Sequence, residues 1–149
     1  MPIQIDGIRT KRMHYNSVMN FVVAVYGSPY ATGAQQHALK FCQACVAAGH
    51  SITRVFFYHE GVYVALGTRV SPQDEADATS AWQEFASSAD VELCVCIANG
   101  LKRGVVTQAE AERAELTLGG TLADRFELVG LGQLIDAVLS SDRLVEFPA

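Results

Sequence analysis

FVVAVYGSP, residues 21–29, opens with six apolar residues in a row and is halted by Gly27, Ser28 and Pro29. A run of this length, rich in β-branched side chains and free of polar alternation, predicts a strand buried on both faces. Strands of that kind belong to parallel sheets covered by helices. Working outward, residues 34–48 are good helix formers followed by Gly49 as a stop. ITRVFFY, residues 52–58, reads as a second strand, and VELCVCIA, residues 91–98, as a third that Asn99-Gly100 breaks. Between them, a short helical piece is expected at residues 62–66. A longer helix is expected from residue 71 to about residue 87, with Ser71 as cap, Pro72 in the first turn and the acids Asp74, Glu75 and Asp77 complementing the dipole. Residues 108–116 predict a helix with Thr107 as candidate cap, residues 126–129 a short strand, 131–139 a helix and 143–147 a final strand.

Strand and helix alternate throughout. That order predicts an α/β fold of three layers, a mostly parallel central sheet of about five strands with helices on both faces, in a flavodoxin-like arrangement. The sheet-forming pattern begins at Met19, so residues 19–149 are expected to be one domain. Residues 1–18 are mixed and partly basic, without sustained periodicity, and read as a poorly ordered extension or an overlong start; a short edge strand at residues 3–8 is the alternative.

Half of the 149 residues are hydrophobic and 18% are charged, enough for a real core and too apolar for disorder. The net charge of −5 argues against direct nucleic-acid binding, which rests on neutralising phosphates. No apolar run is long enough for a membrane span, and the N-terminus lacks the apolar stretch of a signal peptide. Four cysteines without a secretory signal point to a reducing cytoplasm rather than a disulfide framework.

In open parallel sheets function gathers beyond the C-terminal ends of the strands. Three loops leave strands there, at residues 27–33, 59–61 and 99–104. Cys96, near the end of the third strand and followed by the cations Lys102 and Arg103, is the candidate nucleophile, because cations favour thiolate over thiol. Tyr30, Tyr58, His59, Asn99 and Arg103 are the candidate pocket-lining residues, and His59 is a candidate base or proton donor, its plainer reading being a solvated loop histidine. Cys94, two residues earlier on the same face and about 6.5 Å away, is read as core packing. Cys42 and Cys45 form C-x-x-C inside a helix rather than at its N-terminus, which suits packing better than redox work. No second pair supplies a zinc site. Trp82 and Phe85 are a core stripe at helical spacing. The loop after the first strand has neither G-x-G-x-x-G nor G-x-x-x-x-G-K-[ST], and Pro29 and Tyr30 are bulky where phosphates need glycine. No G-x-S-x-G turn is present.

Four stretches then carry a family likeness: RVFFYHEGVYVA (54–65), SPQDEADATSAWQEF (71–85), VELCVCIANGLKRGV (91–105) and FELVGLGQLIDAVLSSDRLVEF (126–147). Through them the chain from residue 19 to 147 resembles the DsrE/DsrF-like sulfur carriers. The resemblance implies that Cys96 is the persulfide-bearing cysteine of a sulfurtransferase that needs no cofactor and no metal. It implies a TusA-like donor, a TusE-like acceptor, and a heterohexamer with TusB-like and TusC-like subunits, two copies of each chain. The end use it implies is 2-thiouridine at the tRNA wobble position, the alternatives being a carrier in dissimilatory sulfur oxidation or a non-catalytic structural subunit. A small-ligand module is a third class, disfavoured by the missing phosphate loop. The chain departs from the family where Asn99-Gly100 interrupts the alanines usual after the cysteine, and in the first loop, GSPYATGAQQ. Both changes bear on the shape of the pocket or of a partner surface.

Overall fold

The computed structural model describes residues 17–149, so the extension expected at residues 1–18, with its alternative edge strand, lies almost wholly outside the described residues. Five strands form one sheet: β1 (Asn20–Val25), β2 (Ser51–Phe57), β3 (Glu92–Cys96), β4 (Phe126–Val129) and β5 (Arg143–Phe147). Their order is β4-β3-β2-β1-β5, and every pairing is parallel. The helices are α1 (Ala34–Ala47), α2 (Ala78–Ala89), α3 (Ile97–Lys102), α4 (Gln108–Arg113) and α5 (Leu131–Leu139), with a 3₁₀ segment at His59–Ala65. The expected α/β architecture is therefore present.

The register explains which side chains share a face. Val25 pairs with Phe57, Phe57 with Val95 and Val95 with Leu128. This row and the parallel one through Val23, Val55 and Leu93 face α1 and α2, where Cys42, Trp82, Phe85 and Ala86 join the main core. Phe57 and Trp82 meet edge to face at 5.3 Å. Burying one such aromatic contributes roughly 1.5–3 kcal/mol. Gln35 is buried in this core with its polar atoms matched: Nε2 donates to the carbonyls of Gly27 and Gly61, and Oε1 accepts from Trp82 Nε1. It ties the end of β1 to the 3₁₀ segment and to α2. Gly61 must be glycine there, since a Cβ would lie 2.2 Å from the Val25 carbonyl oxygen.

The alternate row runs Ala24, Phe56, Cys94, and the opposite sheet face thus carries both cysteines of β3. Cys96 follows on that face, and Leu134 of α5 packs against Phe56, Cys94 and Cys96. Helices therefore cover both faces, α1 and α2 on one and α5 on the other.

Three expected boundaries need correction. The third strand stops at Cys96, and residues 97–102 are helical rather than strand and loop. Gly100 does not break it; it is buried in α3, where its missing Cβ lets β4's Leu128 and the Val105 carbonyl approach. The stop is Gly104, at φ +76°. The long helix begins at Ala78, not at Ser71 and Pro72. Asp77 caps it, its carboxylate accepting from the Thr79 and Ser80 backbone amides at 3.2 and 3.3 Å. Asp74 and Glu75 stay outside, in a turn closed by the Glu75 amide on the Pro72 carbonyl. Thr107 does cap α4, but α4 ends at Arg113, as the chain turns left-handed at Glu115 (φ +55°).

Candidate functional site

Cys96 is the last residue of β3, and α3 starts directly after it. Its thiol lies where a strand running outward from the core meets a helix turning across the sheet edge. Tyr58 just past β2, Val129 from the end of β4 and Leu134 from α5 pack against the cluster that it forms with Phe56 and Cys94. The residue is 4% exposed. It is thus at the expected strand end but under a thin apolar cover rather than in an open crevice. Cavities open elsewhere on the surface of the described residues. One lies between the 3₁₀ segment's exit and residues 120–124, one between α1 and α2, and one at the opposite end of the strands, where β2 and β3 begin beside α5, near Arg54.

The sulfur has one polar partner among the described residues. Asn99 Nδ2 donates to Cys96 Sγ at 3.1 Å. Arg103, one turn further along, sets the amide's orientation. Its Nη1 donates to both the backbone carbonyl and the Oδ1 of Asn99, each at 3.3 Å. The rest of the guanidinium holds Glu60, with Nε at 2.9 Å and Nη2 at 2.6 Å from Oε1. The cation expected beside the cysteine thus acts through an intermediary, and Lys102 faces solvent.

The expected pocket residues separate into two groups. Tyr58, Asn99 and Arg103 gather at Cys96. His59, at φ +46°, points its ring at Tyr58 (4.5 Å) and Tyr26 (5.9 Å), and makes no hydrogen bond to Cys96 among the described residues. Tyr30 is elsewhere: it is half exposed, covers the Arg69 guanidinium at 4.8 Å and borders the cavity between α1 and α2. Glu60 was not anticipated, nor was the sulfur contact of Asn99. The signal for Asn99 is the three-then-four spacing of Cys96, Asn99 and Arg103, which aligns them on one face only once residues 97–102 are read as helix; Glu60 carries no such signal, since only the fold brings it to Arg103.

The other cysteines are packed, and burial raises the thiol of each. Burial pushes the Cys42 thiol up to about 12, with the nearby Cys45 adding to it. Burial also raises Cys45. Cys94 rises to about 11, chiefly by burial, with Arg54 opposing and Glu92 and Glu127 adding to it. Among the described residues no group of three or more His, Cys, Asp or Glu side chains is arranged to hold a metal ion. Nor is any helix there long and apolar enough to cross a membrane.

Residues 19–147 match the DsrE/DsrF-like family. The chain is 44% identical over 129 residues to a protein of Pseudomonas aeruginosa named sulfurtransferase TusD homolog, covering 87% of this chain and 97% of that one. It is 43% identical over 129 residues to sulfurtransferase TusD of an Enterobacter species, covering 87% of this chain and all of that one. The crystal structure of the ychN protein from E. coli shares the fold, with a TM-score of 0.70 at 20% identity over 87% of this chain and all of that one.

Proposed function

The chain belongs to the DsrE/DsrF-like family, and from that premise we propose that it is a sulfur-relay sulfurtransferase that carries sulfane sulfur as a persulfide on Cys96. The observation that carries the assignment to this cysteine is the Asn99 hydrogen bond. Among the described residues Cys96 is the only cysteine whose sulfur receives a side-chain donor, whereas burial holds Cys42 and Cys94 as thiols.

The chemistry is a balanced exchange. The Cys96 thiolate attacks the outer sulfur of a donor persulfide, R–S–SH. A sulfur–sulfur bond forms to Cys96 as the donor's own breaks, and the donor leaves as a thiolate that takes up the persulfide proton. Delivery repeats the exchange with an acceptor thiolate attacking the outer sulfur on Cys96. No net oxidation occurs, and no further reactant enters.

In this reading the donor is TusA-like and the acceptor TusE-like. The chain works in the cytoplasm, in a heterohexamer with TusB-like and TusC-like subunits, two copies of each. The pathway ends in 2-thiouridine at the tRNA wobble position. Residues 19–149 are the working domain. Two features support protein partners over direct tRNA contact. The net charge is −5, unsuited to phosphates. Leu131, Ile135 and Leu139 form an apolar stripe on α5, 48%, 54% and 80% exposed, on the helix that also covers Cys96.

The test is transfer from a persulfidated donor to an acceptor by two variants. Cys96→Ser should abolish transfer while Cys94→Ser keeps most of it. Equal losses would mean that the two thiols work as a pair, full activity in Cys96→Ser would move the carrier role to another cysteine, and no transfer by the parent chain would leave it a structural subunit.

A further inference from the structure

We propose that Asn99 is a catalytic residue of the sulfur exchange, its side-chain amide stabilising negative charge on the Cys96 sulfur, with Arg103 and Glu60 as the residues that aim it. The proposal rests on Cys96 being the working thiol. The direction of the Asn99 amide follows from its neighbours. A guanidinium has only donors, so the Asn99 atom facing Arg103 Nη1 must be Oδ1. Nδ2 is then the atom facing Sγ at 3.1 Å. A flipped amide would set two donors against each other and leave the sulfur facing a carbonyl oxygen. Arg103 cannot easily turn away, because Nε and Nη2 are both engaged by Glu60.

The chain Glu60–Arg103–Asn99–Cys96 therefore ends in an N–H aimed at sulfur. A cation on the amide oxygen draws electron density from its nitrogen and strengthens the N–H as a donor. Hydrogen bonding to the charged form of an acid favours that form. The other side chains around the sulfur are poor sources of such help. Val129 and Leu134 are apolar, Tyr58 packs by its ring, Cys94 is a neutral thiol, and His59 reaches Tyr58 rather than sulfur. Asn99 thus supplies what the apolar cover does not: a dipole for an anion on a residue only 4% exposed. The same amide remains at the inner sulfur when Cys96 bears a persulfide, and stabilises the thiolate that reappears as the outer sulfur leaves.

The test is the pH dependence of Cys96 alkylation by iodoacetamide, read at the peptide containing residue 96 in the folded full chain. This measurement needs no sulfur donor, so its outcome is separate from whether the chain transfers sulfur. Asn99→Ala should slow alkylation at pH 7 about tenfold and displace the rate profile toward alkaline pH, as expected for a lost hydrogen bond to a charged group. Asn99→Asp should displace it further, because a carboxylate then faces the sulfur. Arg103→Lys and Glu60→Gln should give smaller displacements of the same sign. Alanine is a better helix former than asparagine, so Asn99→Ala should fold, and its melting curve checks this. A change in access would scale the rate at every pH without moving the profile. An unmoved profile in both Asn99→Ala and Asn99→Asp overturns the proposal. A moved profile in a chain that never accepts sulfur leaves Asn99 as the group that stabilises the Cys96 thiolate, but overturns its catalytic role together with the sulfur-carrier reading.

Discussion

Four cysteines with nearly the same covalent chemistry behave differently because of what surrounds each sulfur. Cys42 and Cys45 face the α1 core, and Cys94 lies flat on the sheet under α5; for all three, burial raises the thiol. At pH 8 a thiol at about 11 or 12 is thiolate in roughly one part in a thousand or less. Brief iodoacetamide treatment of the folded chain at pH 8 should therefore mark Cys96 and leave Cys42 and Cys94 unmodified, with all four marked after unfolding in urea. Peptide mass mapping reads the result, and labelling of Cys94 before Cys96 would reverse the assignment. The sequence carried much of this. The strand position of Cys96 and the helix-interior position of the C-x-x-C pair follow from periodicity alone. What it did not carry is the sulfur's partner, because Asn99-Gly100 has the composition of a turn. Only the packing of Gly100 against Leu128 shows why the chain stays helical there.

At the level of elements, the strands were legible to within two residues because long apolar runs leave few alternatives, and the starts of α1, α4 and α5 were legible too, whereas the start of α2 was not. Ser71-Pro72-Gln73-Asp74-Glu75 has every mark of a helix N-terminus, yet α2 begins six residues past Pro72. The competing cap is better connected. Asp77 accepts two backbone amides and the Ser80 hydroxyl, and lies 3.7 Å from Arg69. Burial alone would raise its carboxyl, but the hydrogen bonds from Ser80 and Thr79, with Arg69, outweigh it and hold the carboxyl below its ordinary value. A lowered carboxyl contributes stability that is present above the ordinary carboxylate range and is lost as pH falls through the folded value. Asp77→Ala should cost about 1 kcal/mol in urea unfolding at pH 7, and the difference from the parent chain should shrink toward pH 3. Asp74→Ala, in the turn outside the helix, should change stability little. Equal costs at the two positions would restore Ser71 and Pro72 as the helix start.

For the whole molecule, the proposed sulfur exchange would require a second protein to reach a residue only 4% exposed. The cover comes from Tyr58, Val129 and Leu134, and Leu134 belongs to the helix whose outer stripe is apolar. A partner seated on Leu131, Ile135 and Leu139 would sit beside the thiol it serves. Ile135→Lys places a charge on an already exposed position. It should leave the melting temperature nearly unchanged while weakening co-purification with TusB-like and TusC-like chains by tenfold or more, on the order expected for a charge buried at an interface core. Unaltered co-purification would move the interface elsewhere. The fold was readable in outline from alternating strands and helices; the apolar stripe was not, because exposure of α5 depends on which of its faces meets the sheet. The account stands most directly on where a sulfur atom goes. The chain is incubated with a persulfidated donor, thiols are blocked, and each cysteine-containing peptide is weighed. The mass of one added sulfur on the peptide bearing Cys96, removable by a reducing thiol, is the predicted result. Because that peptide also holds Cys94, fragmentation must place the sulfur on residue 96. Added sulfur on Cys42 or Cys45 with none on Cys96 would contradict the account.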